Sequence, residues 1–279
     1  MLMTLGKQVV PLPPADGLSY FRKGTHGAGV LLIHGVTGSP VEMKYIAKAL
    51  HRAGYTVYAP LLAGHGRYLA TLRRTRWQDW YHAVRQASEL LAEHVETLFV
   101  AGVCMGGMLG LRLARDVEAI RAVAVYSALL QYDGWNMPYH YRIGRLTVPV
   151  ALGLGIGRWI NLKERPPFGI KSDRIRHLLT ERGNGIRGTL PAFPTETLHE
   201  NLKLISATKL ALPQISAPTL LVHARDDDIS GPNNPVFIQR RIGGPCEIEW
   251  LDDSYHMIHV DQEHPAVSMR SAAFFDRFR

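Results

Sequence analysis

Gly102-Val103-Cys104-Met105-Gly106 sets one thiol between two glycines. Just before it, Leu98-Phe99-Val100-Ala101 reads as a strand buried on both faces, and a helical pattern follows to about Arg115. A strand, a tight turn and a helix with a nucleophile at the apex form an elbow for acyl-transfer chemistry. Small residues at Gly102 and Gly106 let strand and helix approach closely. The helix N-terminus and a nearby imidazole favour the thiolate, which is the reactive form of cysteine. Cys246, by contrast, follows Gly243-Gly244-Pro245 at a strand start with no motif around it, and is expected to be a packing residue.

A thiolate mechanism also needs a base, a group to orient that base, and donors for the developing oxyanion. In this kind of sheet the acid and the histidine follow the nucleophile in chain order. Asp226, Asp227 and Asp228 come directly after a strand ending at His223-Ala224. His256 lies in a loop after the strand Glu247 to Leu251, and His259 is the rival base. His34-Gly35-Val36-Thr37-Gly38 follows another buried strand, so the Val36 N–H can point where the Met105 N–H points.

The elements that must hold these residues alternate regularly. Expected strands cover Gly29 to Ile33, Tyr55 to Ala59, Leu98 to Ala101, Ile120 to Tyr126, Pro218 to His223 and Glu247 to Leu251. Helices are expected from Pro40, over Trp77 to His94, from the elbow to Arg115, over Pro235 to Arg241 and over His264 to Phe278. Ser39, Pro40 and Glu42 look like a helix start with a capping box. Strand–helix alternation predicts a mostly parallel sheet with helices on both faces. The alternation lapses in the middle of the chain. The expected organisation is therefore a core of residues 1–127 and 206–279, with an insertion of residues 128–205 over one end of the sheet.

At 279 residues, with 46% hydrophobic and 20% charged, the chain can bury a large core. Two cysteines do not make a disulfide framework. The N-terminus has no signal-peptide pattern and no apolar run reaches the roughly 18 residues of a membrane span, so a cytoplasmic protein is expected. The formal charge is +8, and Gln131 to Leu190 carries ten Lys/Arg against four acids. That basic segment is either a solvated surface or a docking face for something anionic, such as an acidic carrier protein. Nucleic acid is not expected, since no recognition module is present. Neither a cofactor nor a metal is expected. Gly153-Leu154-Gly155-Ile156-Gly157 lacks the dinucleotide spacing, and His256, His259, Asp261 and His264 lack metal-ligand spacing. Trp135, Tyr139, Tyr141 and Trp159 are expected in the core of the insertion or in a pocket wall.

Five segments, in order, complete the pattern: LLIHGVTGSP (31–40), YAPLLAGHG (58–66), AGVCMGG (101–107), APTLLVHARDDD (217–228) and SYHMIHVDQE (254–263). With these the chain resembles the α/β-hydrolase superfamily, in its carboxylesterase and monoglyceride-lipase-like branch. The resemblance implies that Cys104 stands at the nucleophile position, His256 at the base and Asp227 at the acid. It also implies Val36 and Met105 as oxyanion donors and residues 128–205 as the cap over the acyl pocket. Esterases of this branch carry serine, and this chain departs from them with cysteine. In that respect it is similar to aminoacyl shuttles that move acyl groups between carrier-protein thiols. A thiolate leaves more readily than an alkoxide, so thioester donors suit Cys104 better than plain esters. The leading expectation is an acyl or aminoacyl transferase acting on carrier-protein or coenzyme A thioesters. The alternative is a carboxylesterase or thioesterase with water as acceptor. A non-catalytic binding protein is the remaining class, disfavoured because it would have no use for all three of Cys, His and Asp.

Overall fold

The computed structural model describes residues 16–141, 143–180 and 185–279. Residues 1–15 of the expected core, with the N-terminal segment searched for a signal peptide, lie outside the described residues. So do Arg142, Glu181 and Arg182 of the basic segment, and the side chains of Arg145, Arg158 and Trp159.

The first half runs β1 (Tyr20–Arg22), β2 (Ala28–Ile33), α1 (Lys44–Arg52), β3 (Thr56–Ala59), α2 (Leu69–Arg74), α3 (Trp77–Ala92), β4 (Thr97–Val103), α4 (Met105–Asp116) and β5 (Ile120–Tyr126). The middle holds α5 (Gly144–Gly153), β6 (Asn161–Leu162), α6 (Asp173–Thr180), β7 (Phe193–Pro194) and α7 (Thr195–Ala211). The chain closes with β8 (Thr219–Ala224), α8 (Asn233–Arg241), β9 (Cys246–Leu251) and α9 (His264–Asp276).

Seven strands make one sheet in the order β1-β3-β2-β4-β5-β8-β9. Only β1 is antiparallel to its neighbour; the other pairs are parallel. Every residue of β2, β3 and β8 is buried. That is why these strands read as unbroken apolar runs rather than alternating ones: helices cover both faces of the sheet. On one side α1 packs on α9, and elsewhere α4 takes contacts from α3 and α7. This is the α/β-hydrolase fold.

The helix expected from Pro40 becomes regular only at Lys44. The capping box forms only in part: Ser39 Oγ accepts the Val41 N–H at 3.3 Å and the Glu42 carboxyl accepts the Ser39 N–H, but both side chains also bind outside the turn. Ser39 Oγ donates to Arg187 O at 2.6 Å, and Glu42 Oε1 accepts the Gly35 N–H at 2.7 Å. Residues 40–43 are also held by turn hydrogen bonds such as Glu42 N–H to Ser39 O, 3.1 Å.

Between β5 and β8 the chain leaves the sheet. β6 and β7 pair with each other, Leu162 opposite Phe193, and α7 packs on both α4 and α5. Position 206, where the sequence suggests a return to the core, falls inside α7. Of the aromatic residues in this segment, Tyr141 reaches a pocket wall. Trp135 and Tyr139 do not join a core as expected: they are exposed. The Trp135 indole N–H finds its acceptor at the surface, on Asp226 O at 2.9 Å.

Candidate active site

Cys104 sits at the junction of β4 and α4 with φ 55° and ψ −117°. Non-glycine residues rarely occupy that region, because Cβ crowds the backbone. The conformation is held from both sides: the Cys104 N–H donates to Tyr126 O at 2.8 Å, and Cys104 O accepts the Met108 N–H. It is possible only because the neighbours lack Cβ atoms. A Cβ on Gly102 would lie 2.4 Å from Gly106 C, and one on Gly106 would lie 2.3 Å from Ile33 O. The thiol is buried except for a face on a pocket.

His256 Nδ1 lies 3.0 and 2.9 Å from the two Asp227 carboxylate oxygens. Asp227 is almost fully buried but well solvated by protein: it accepts the Ile229 and Ser230 N–H groups at 2.9 and 2.8 Å. The imidazole faces the same pocket as Cys104, whose sulfur helps to favour the charged ring. Burial works against an imidazolium here. The Asp227 carboxylate, followed by Cys104, outweighs it and holds the His256 pKa well above the usual imidazole value. Burial likewise works against the Asp227 charge, yet His256 keeps the Asp227 pKa below the usual carboxylate range. Both shifts favour one charged pair.

The other candidates separate cleanly. His259 is fully buried and neither ring nitrogen has a hydrogen-bond partner. Its Nε2 faces Glu42 Oε1 at 3.9 Å, and burial pulls its pKa down to about 3. Asp226 is exposed and pairs with Lys171 at 3.4 Å. Asp228 lies under the loop, accepting the His256 and Gly169 N–H groups at 3.3 and 3.2 Å. Cys246 is half-buried at the start of β9, and burial pushes its thiol up to about 12, so it stays a thiol. Among the described residues no cluster of His, Cys, Asp or Glu has metal-holding geometry.

Val36 lines the same pocket as Cys104 and His256. Its carbonyl is tied to His65 Nε2 at 2.7 Å, and the next carbonyl, Thr37 O, accepts the Leu190 N–H at 2.8 Å. The peptide that carries the Val36 N–H is itself held at its carbonyl, Gly35 O, by His34 Nδ1 at 2.8 Å and the Gly38 N–H at 3.2 Å. Met105 is the first residue of α4, where N–H groups have no acceptor within the helix.

The pocket has a volume of about 180 Å³. Its walls are mostly apolar, with Met137, Leu162, Phe168 and Phe193 among them. Three polar groups in it escape sequence reasoning. Tyr132 is buried beside Cys104, its hydroxyl accepting Asn201 Nδ2–H at 2.7 Å. Glu164 faces the pocket and accepts the Thr37 hydroxyl at 2.9 Å. Glu42 is buried behind Gly35, and burial pushes its carboxyl up to about 7. Glu42 carried a signal, but it pointed to a helix cap; Tyr132 and Glu164 lie in an irregular segment with no motif.

Known proteins resemble this chain over most of its length. The chain is 29% identical over 265 residues to the thermostable monoacylglycerol lipase of Bacillus sp. (strain H-257), covering 94% of this chain and 96% of that protein. It is 24% identical over 250 residues to a carboxylesterase of Bacillus subtilis (strain 168), covering 89% and 92%. A solved structure from the metagenome-derived lipolytic enzymes LipS and LipT superposes with a TM-score of 0.79 at 26% identity, covering 94% of this chain and 98% of that one. These relatives are named for lipid and ester hydrolysis, not for transfer between carrier thiols, so the weight moves from transferase to hydrolase. A family model described as "Serine aminopeptidase, S33" matches residues 24–263, and the chain belongs to that family of α/β-hydrolase enzymes.

Proposed function

We propose that the protein hydrolyses carboxylic esters or thioesters through an acyl-thioester on Cys104, with His256 as base, Asp227 as its orienter and water as the acceptor. The observation that carries this reading is the His256–Asp227 pair beside a thiol whose backbone sits at φ 55°. The Cys104 sulfur attacks the substrate carbonyl carbon, and its proton resides on His256. The Val36 and Met105 N–H groups receive the oxyanion. The C–O or C–S bond to the leaving group breaks as His256 returns the proton to it. A water then gives its proton to His256 and attacks the thioester carbonyl; the C–Sγ bond breaks, releasing the acid and restoring the thiol. Residues 128–205 serve as the cap, supplying the apolar wall at Met137, Leu162 and Phe168 that takes the acyl chain.

The thiol favours thioesters among these donors, because an attacked ester returns the thiolate in preference to the alkoxide. For the same reason transfer to a carrier thiol is the second reading, and a reducing compartment such as the cytoplasm suits both. Intact-mass spectrometry after mixing with a panel of acyl thioesters tests the proposal. An acyl mass on wild type but not on Cys104→Ala is expected, with free acid released in water alone. An adduct that stays until a thiol-bearing carrier is added would favour transfer. An adduct on the alanine variant would remove Cys104 from the chemistry.

A further inference from the structure

Tyr132 follows β5 and lines the pocket together with Cys104. The chain on either side of it is fastened. Asn234 Oδ1 accepts the Leu130 and Gln131 N–H groups at 2.7 Å each, and Asp133 Oδ1 accepts the Gly231 N–H and the Asn234 Nδ2–H, both at 2.8 Å. The Tyr132 ring rests against that of Tyr141, with centroids 6.1 Å apart. A polar group on a pocket wall held this firmly is preorganised to meet a substrate atom.

Its hydroxyl is bonded on one side only. The oxygen accepts Asn201 Nδ2–H at 2.7 Å, and among the described residues nothing accepts the hydroxyl proton. Burial, and then Cys104, push the phenol pKa well above its usual value, so that proton stays on the oxygen. Asn201 comes from α7 and is fully buried, and its Oδ1 has no partner among the described residues. Turning its amide over would give the Tyr132 proton an acceptor, but two buried N–H donors would then stand unpaired in place of one carbonyl. The amide therefore holds the phenol oxygen and leaves its proton for the pocket.

The sheet order tells which part of a substrate meets that proton. β4 runs into Cys104 and lies between β2 and β5. Val36 follows β2 and Tyr132 follows β5, so the oxyanion loop and the phenol flank the nucleophile from opposite sides. The leaving group is committed to His256, which protonates it. The acyl group remains, at the atoms next to the carbonyl carbon bonded to the sulfur.

We infer that Tyr132, held by Asn201, selects acyl groups that carry a hydrogen-bond acceptor, such as an ether, hydroxyl or keto oxygen, one or two carbons beyond the scissile carbonyl. This rests on the acyl-thioester at Cys104 proposed above. A chain of the same shape without an acceptor leaves the O–H buried and unpaired, and sites built to hydrogen-bond a substrate reject analogues of that kind.

Two pairs of N-acetylcysteamine thioesters test it: methoxyacetyl against butanoyl, and 3-methoxypropanoyl against pentanoyl. Within each pair one oxygen replaces one methylene. For at least one pair the ratio of kcat/KM values, ether over methylene, should be about tenfold higher in wild type than in Tyr132→Phe. The intrinsic effect of the oxygen on reactivity is common to both enzymes and cancels. Asn201→Leu, which releases the phenol oxygen, should lower the ratio in the same direction. Calorimetric Kd values for the same thioesters on Cys104→Ala and on Cys104→Ala/Tyr132→Phe read the preference without chemistry at the thiol. An acyl mass on Cys104→Ala would remove the acyl-enzyme and still leave the Tyr132 dependence measurable. Ratios that agree within about twofold between Tyr132 and its phenylalanine variant, for both pairs and in both readouts, overturn the inference. So does a preference that Tyr132→Phe keeps and only Asn201→Leu removes, which would assign the contact to Asn201.

Discussion

Replacing Asp227 by asparagine is predicted to lower kcat/KM for a thioester by about 10²- to 10³-fold with little loss of fold. The size follows from the hydrogen bonds. Asp227 accepts from three groups on one side, the Ile229 and Ser230 N–H groups and the Ser230 hydroxyl, at 2.9, 2.8 and 3.2 Å. An asparagine carbonyl oxygen can keep the two peptide bonds, so the loop holds. The amide nitrogen then takes the nearer place, 2.9 Å from His256 Nδ1, a donor against a donor, while the oxygen at 3.0 Å is already shared by the two peptide N–H groups. The imidazole escapes by moving its proton to the nitrogen that faces Cys104, and that tautomer cannot accept the thiol proton. The substitution also removes the carboxylate that raises the His256 pKa. A serine nucleophile loses about 10⁴-fold by such a change. A thiol, ionising near pH 8.5 when unperturbed, depends less on its base, which sets the lower range. At 1.36 kcal/mol per factor of ten the loss is about 3–4 kcal/mol of transition-state stabilisation. Steady-state hydrolysis across pH checks it, alongside thermal unfolding. A variant that keeps more than a tenth of wild-type kcat/KM with an unchanged pH profile would refute the role of the pair.

Two further outcomes follow from the surroundings of the elbow. Glu42→Gln should remove a pH dependence of stability: burial raises the carboxyl from 4.5 to about 7, so the linked stability is full below pH 4.5 and is lost as pH rises through about 7. The glutamine keeps an acceptor for the Gly35 N–H, and thermal unfolding should show it gaining on wild type by up to about 3 kcal/mol between about pH 5 and about pH 8; parallel curves would contradict a buried, proton-binding Glu42. Gly106→Ala puts a Cβ 2.3 Å from Ile33 O and 2.6 Å from His34 O, both backbone atoms that cannot swing away. A loss of about 2–4 kcal/mol in urea unfolding is expected, and wild-type stability would show that β2 and α4 are not in that contact.

The elbow was legible in sequence because most of its requirement is local. Gly102 is imposed by Gly106 backbone atoms within one strand–turn–helix unit, Gly106 by Ile33 O and His34 O at the end of the adjacent strand, and the apolar runs flanking them follow from two-sided burial. Choosing His256 over His259 was a different problem. Both lie in one loop, three residues apart, and the difference is which ring meets Asp227 and which is sealed against Glu42 at 3.9 Å. Spacing along the chain carries no such information; the resemblance supplied it. Glu42 was read only in part for a related reason. A glutamate three residues after Ser39 does meet the Ser39 N–H as a capping box would, but the same carboxyl also takes the Gly35 N–H, seven residues back, at 2.7 Å. Tyr132 and Glu164 were not readable at all, since their place depends on how the segment between β5 and β8 closes over Cys104.

The pocket's charges bear on why a thiol stands at this elbow. His256 lies against the Asp227 carboxylate at 2.9 Å, whereas burial pushes Asp228, Glu42 and Glu164 toward their neutral forms. That environment favours a proton on the imidazole before any substrate arrives, and the sulfur itself adds to the effect. A serine hydroxyl needs a neutral imidazole to take its proton, so a base protonated at rest is a handicap for it. A thiol is intrinsically the more acidic nucleophile and depends less on a neutral base. On this view cysteine and the His256–Asp227 pair belong together. Substituting Cys104 by serine should accordingly not give an efficient esterase, because the hydroxyl would meet an imidazole whose charged form Asp227 still favours.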